Sequence, residues 1–181
     1  LGIKATATIV VKAPIPLTNV TVAPAGDVEK HKQNENRQFT QSNFTPTGVF
    51  IKKGESINIS SSDYKNLVVY IGQQGHYSYL NGGVEVKREK NILTSDNQTI
   101  SAKNGDGEVW IANLSEKETS ATIKGGEKMP LFIKGKTTDD DFKKQILTLK
   151  NSPFIQIEGE NAIINFQYPK VSEILLKRSA Q

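Results

Sequence analysis

Cysteine is absent from all 181 residues, which excludes disulfides, thiolate metal sites and thiol nucleophiles. The absence leaves the compartment open, because cysteine-free chains suit both the cytosol and bacterial export. Histidine is nearly absent: His31 is followed by Lys32 and His76 by Tyr77, so no His-Glu-x-x-His zinc motif occurs. No apolar run approaches the ~20 residues of a membrane helix, so no membrane span is expected. No basic region followed by a hydrophobic stretch stands at the N-terminus, and if the protein is exported its signal peptide has already been removed. Charge of one sign is lacking too. The 23 basic and 19 acidic residues are interspersed, and a net charge of +4 without a basic stripe argues against nucleic acid as a partner. Neither Gly-x-Ser-x-Gly nor a phosphate-cradling glycine loop is present.

What is present reads as a globular, strand-rich chain. Hydrophobic residues make up 36% and charged residues 23%, with 14 glycines and 7 prolines supplying turn punctuation. Strands are expected at Lys4–Lys12, Asn19–Val22, Gly48–Ile51, Ser56–Ser60, Leu67–Ile71, Val84–Lys87, Gln98–Lys103, Glu108–Leu114, Ser120–Lys124 and Leu131–Lys134. Short strands so evenly spaced argue for a sandwich or barrel rather than a parallel sheet, and an antiparallel β-sandwich is the fold class expected. Hairpins are expected across Lys52–Glu55, where Gly54 supplies a positive φ, and across Asn104-Gly105-Asp106-Gly107. Residues 1–25 read as a strand segment belonging to the sandwich or a linker, and 26–46 as a polar loop or marginal helix. Residues 47–169 read as the sandwich core.

One docked helix is expected over about 139–149. Thr138 caps it, Asp139, Asp140 and Asp141 complement its positive end, and Phe142, Ile146 and Leu149 share a face. Pro153 ends this unit, and a hairpin follows from Phe154 to Gln167 across Glu158–Asn161. Residues 170–181 have helical propensity but no cap, and read as the truncated start of a further region.

Candidate chemical sites are few. His31 and Glu35 have i,i+4 spacing, yet they sit in a polar stretch that reads as solvated, and no metal is assigned. The three aspartates read as helix capping rather than a calcium cluster. Asn104–Glu108 reads as a hairpin rather than a calcium loop, since the loop's other ligand positions are missing. Among aromatics, Trp110 between Val109 and Ile111 reads as core. Tyr77 and Tyr79, on one strand face beside Gly75, Asn81 and Gly82, are the candidates for ligand contact, with a structural role as the competing reading.

Several stretches, in order, resemble the enhancin-like, mucin-degrading, gluzincin-type zinc metallopeptidases. They are Thr45–Ile51 with Lys53-Gly54-Glu55, Gly105–Asn113, Ala121–Gly126 with Met129–Phe132, Gly135–Thr138 running into Phe142-Lys143, Ser152–Phe154, and the hairpin at Glu158–Phe166. Together they span about Arg37 to Pro169. The resemblance implies a β-sandwich that precedes a catalytic region, whose His-Glu-x-x-His and downstream glutamate bind zinc and activate water. None of those ligands maps onto this sequence, so the resemblance implies a non-catalytic N-terminal part of a secreted or cell-surface bacterial enzyme. Zinc is expected in the catalytic region and no cofactor in this part. The implied partners are that C-terminal catalytic domain and a mucin or other O-glycoprotein. The alternative is a glycan-binding or surface-adhesion module without a protease partner.

Overall fold

The computed structural model describes residues 14–38, 42–72, 88–160 and 162–169. The fold is mainly β and is built around a sandwich. One sheet has four antiparallel strands in the order β1 (Leu17–Val22), β8 (Thr119–Lys124), β3 (Ser56–Ser60) and β6 (Asn97–Ser101). The facing sheet has five, in the order β5 (Glu89–Ile92), β4 (Leu67–Ile71), β7 (Gly107–Asn113), β2 (Phe44–Ile51) and β9 (Glu127–Lys128). Side-chain alternation fills the space between them. Val20, Val22, Ile57, Ile59, Ile100, Ala121 and Ile123 project from the first sheet, and Val49, Ile51, Leu67, Val69, Ile71, Val109 and Ile111 from the second, into one buried cluster.

The two sequence-expected hairpins at Gly54 and Asn104 turn out to be arches. β2 and β3 lie in different sheets, as do β6 and β7, so each tight turn carries the chain across the sandwich. The first arch keeps its turn chemistry, with Gly54 at φ 84° and Glu55 N donating to Lys52 O at 3.0 Å, whereas neither Gly105 nor Gly107 takes a positive φ in the second. The two arches are also bonded to each other. Gly54 N donates to Ala102 O at 2.8 Å, Ala102 N to Glu55 O at 3.0 Å, and Lys53 N to Asp106 Oδ1 at 2.8 Å.

A third layer lies on the outer face of the five-stranded sheet. It consists of β10 (Leu131–Ile133) parallel to β11 (Phe154–Glu158), with β11 antiparallel to β12 (Ile163–Gln167) across the expected hairpin. Within β11 the alternation is decisive. Phe154 packs with Phe50 and Met129 on the sandwich side, while Ile155 packs with Ile146 and Tyr168 on the other. That second cluster seats the expected helix, α2 (Asp139–Thr148), whose Phe142 joins it. Thr138 caps the helix by accepting from Asp141 N at 3.1 Å, Gln145 Oε1 accepts from Leu131 N at 2.8 Å, and Tyr168 Oη donates to Ile146 O. The helix therefore docks on the small third sheet rather than directly on the sandwich.

In the polar stretch after β1, α1 (Val28–Asn34) forms a short helix with no buried residue, capped by Asp27. β2 starts at Phe44, earlier than the expected Gly48. Its pairing with β7 is interrupted by a bulge between Pro46 and Phe50, where Thr47 Oγ1 donates to Val109 O at 2.6 Å. The strands expected at Lys4–Lys12 and Val84–Lys87 and the helix expected at 170–181 lie outside the described residues.

Candidate functional site

β7 is buried along its whole length because both of its faces are covered, one by the sandwich interior and one by the third layer. An apolar strand is expected there, yet Glu108 sits in it with no solvent exposure. Its Oε2 accepts from Asn165 Nδ2 of β12 at 2.9 Å. Gln156 of β11, opposite Asn165 in the hairpin register, and Trp110 of β7 lie against the same carboxyl. Neither closes a hydrogen bond to it: Glu108 Oε1, Trp110 Nε1 and both polar atoms of the Gln156 amide are buried without partners. Burial pushes the Glu108 carboxyl up to about 8, against the weaker pull of Gln156, Trp110 and Asn165 toward the ionised form. Burial thus biases Glu108 toward its neutral form at the joint between the sandwich and the third layer.

Beside this joint the outer face carries an aromatic group. Phe44 meets Tyr70 edge-on at 4.9 Å and Trp110 at 6.3 Å, and the Arg88 guanidinium lies 4.3 Å above the Phe44 ring. Phe44 also lines an open cleft of about 480 Å³ with Arg37, Asn43, Thr45, Glu158 and Glu160. Burial raises the Glu158 carboxyl above the ordinary carboxylate value, partly offset by Lys136. The cleft lies where the start of β2 meets the tip of the β11–β12 hairpin.

The sequence-nominated residues do not converge on this face. His31, on α1, places Nε2 3.4 Å from Glu116 Oε1, while the Glu35 side chain pairs with Arg37, so the i,i+4 pair does not point at a common ligand. Asp139, Asp140 and Asp141 occupy the first turn of α2, as capping predicts. In the Asn104–Glu108 stretch the carboxylates diverge. Asp106 accepts from Lys53 N, and Glu108 turns into the layer joint. Trp110 is buried, 1% exposed, as its core reading predicts. Tyr77, Tyr79 and His76 lie outside the described residues. Sequence reasoning missed Glu108 as a buried group and missed the pairing of Arg88 with Phe44 and Tyr70. The available signal for Glu108 was a lone carboxylate in the run Gly107–Ala112, which is otherwise apolar.

Residues 125–175 match the family model for Peptidase M60, enhancin and enhancin-like. That stretch contains β9 of the five-stranded sheet and the whole of the third layer, β10 through β12 with α2. Solved structures align over most of the chain. A functionally unknown conserved protein from Bacillus anthracis str. Ames is 25% identical over 87% of this chain and 32% of its own, with a TM-score of 0.76. The ZmpB metallopeptidase from Clostridium perfringens is 13% identical over 90% of this chain and 36% of its own, with a TM-score of 0.71. The M60 catalytic domain of Clostridium perfringens ZmpC, in complex with the sialyl T antigen, is 13% identical over 90% and 36%, with a TM-score of 0.70. At such identities the likeness establishes the fold. The chain spans about a third of the length of these structures. No curated protein is found to match it.

A zinc site fails to assemble from the described residues. No three His, Asp or Glu side chains gather among them, and the one carboxyl of the Glu108 cluster is bonded by the Asn165 N–H, a donor that repels a cation. No helix among the described residues is long and apolar enough to cross a membrane.

Proposed function

We propose that this chain is the non-catalytic, N-terminal β-sandwich part of a secreted enhancin-like zinc metallopeptidase that acts on mucin-type or other glycosylated proteins. In this reading it supports a catalytic region that carries the zinc ligands and forms part of the wall beside it. The observation that carries the reading is the match of residues 125–175 to the M60 family model, within a fold shared with M60 structures of which the chain covers 36%. The diverging carboxylates, and a His31 that faces Glu116 alone, favour a supporting role over a reactive one. Incubating the purified chain with mucin, zinc supplied, releases no peptides under this reading. Metal-dependent cleavage by the chain itself refutes it.

A glycan-binding role is the second reading, favoured by the open cleft at Phe44 and by the glycan held in the ZmpC structure. Tyr77 and Tyr79 remain its proposed contacts. Selective binding on a glycan array that Tyr77→Ala or Tyr79→Ala abolishes supports it, and an array without binding leaves the scaffold reading ahead.

A further inference from the structure

The third layer meets the sandwich through the apolar cluster of Phe50, Met129 and Phe154, through Leu131 and the Met129 N–H at Gly48, and through the polar joint at Glu108. The apolar cluster is small, so the state of the polar joint has leverage over the whole layer. We propose that Glu108 is a proton-operated latch: the neutral acid holds β10–β12 and α2 on the five-stranded sheet, and loss of its proton lets that layer open as a unit.

Burial favours the neutral form at the joint, against the N–H groups of Gln156, Trp110 and Asn165, which favour the ionised one. An ionised carboxylate only accepts, and here it has one bond, from Asn165. Gln156 Oε1 is a buried acceptor without a donor. A protonated Glu108 brings the O–H that Gln156 Oε1 lacks, and its other oxygen still accepts from Asn165. The ionised form instead leaves a charge in a dry joint with two neutral amides and an indole. Burial raises the carboxyl accordingly, to about 8.

Among the described residues no charge is positioned to compensate. β11 presents Gln156, β12 presents Asn165, β7 presents Trp110, and β2 places Phe50 at the paired position. Arg88 lies over Phe44 and Tyr70, and Glu127 on β9 is engaged by Lys52 Nζ at 2.5 Å. Opening exposes Glu108 to water, where it ionises at the ordinary carboxylate value. Between that value and about 8 each opening event therefore releases one proton.

Hydrogen exchange with mass spectrometry from pH 5 to pH 9, corrected for the intrinsic pH dependence of exchange, tests the latch. Amides of β11 and β12 are expected to be less protected than those of β4 and β8. Their protection should fall about tenfold per pH unit up to pH 8 and level off above it. In Glu108→Gln, an isostere of the neutral acid, protection of the same amides should be independent of pH. A direct ¹³C titration of the Glu108 carboxyl in the intact wild-type chain gives a readout that does not depend on the variant folding, and is expected to place its midpoint well above neutrality's lower side, between pH 7 and 9. Three results overturn the proposal: protection in β11 and β12 that is flat with pH in the wild type, protection identical to that of β4 and β8 at every pH, or a carboxyl midpoint in the ordinary range.

Discussion

Asn165 on β12 and Glu108 on β7 are 57 positions apart in sequence and 2.9 Å apart in space, and their bond links the third layer to the sandwich. The layer on one side of that bond lies within the stretch matching the M60 family model, and the strand on the other is buried at every position.

The first prediction concerns pH and global stability. The folded pKa of Glu108 is raised from 4.5 to about 8, so the native state keeps a proton that the unfolded chain releases. Its contribution is fully present below about pH 4.5 and is lost as pH rises through 8. Across that window the unfolding free energy should fall by about 1.4 kcal/mol per pH unit from this group alone. Urea titrations of wild type and Glu108→Gln at pH 5, 6, 7 and 8 isolate the term, because the variant should lack that slope.

Two glycines separate turn chemistry from close packing. A Cβ on Gly107 would lie 2.5 Å from Gly72 N, where β7 and the end of β4 approach backbone to backbone, whereas one on Gly105 meets nothing within 4 Å. Gly107→Ala should therefore cost on the order of 2 kcal/mol or more, and Gly105→Ala within about 0.5 kcal/mol of nothing, by chemical denaturation.

Truncation at the base of the helix should be costly. Ile155 is 1% exposed and packs with Ile146 and Tyr168, so Ile155→Ala is expected to destabilise by about 2–5 kcal/mol. The loss should appear as faster hydrogen exchange in α2 and β12 before it appears in β4.

Removing the helix cap should have a smaller and more local effect. Thr138→Ala deletes the acceptor for Asp141 N and should cost about 1 kcal/mol, whereas Thr138→Ser should retain most of the stability. Thermal unfolding of the three proteins at one pH measures the difference.

Local elements were legible wherever one segment carried its own signal. Thr138 followed by three aspartates and the Phe142 to Ile146 spacing specified α2, and the apolar block Leu67–Ile71 specified β4 to the residue. The partition of strands between sheets was not legible at Gly54 and Asn104. Turn chemistry there reverses the chain but does not say whether the next strand pairs in the same sheet or crosses to the other. Ile51 and Ile57 point into the same core in both cases. The third layer escaped notice for a related reason. Its placement depends on β10 pairing in parallel with β11 across the intervening helix, a contact between distant segments. Glu108 was hidden by its neighbours, since beside a turn its carboxylate resembles a solvated group until the hairpin of β11 and β12 is laid over it.

The central claim is that these residues form a scaffold and hold no catalytic metal. Equilibrium dialysis of the purified chain against zinc, followed by elemental analysis, tests it most directly. The account predicts no stoichiometric zinc at micromolar concentration. One tightly held equivalent per chain, lost on His31→Ala or His76→Ala, would contradict it.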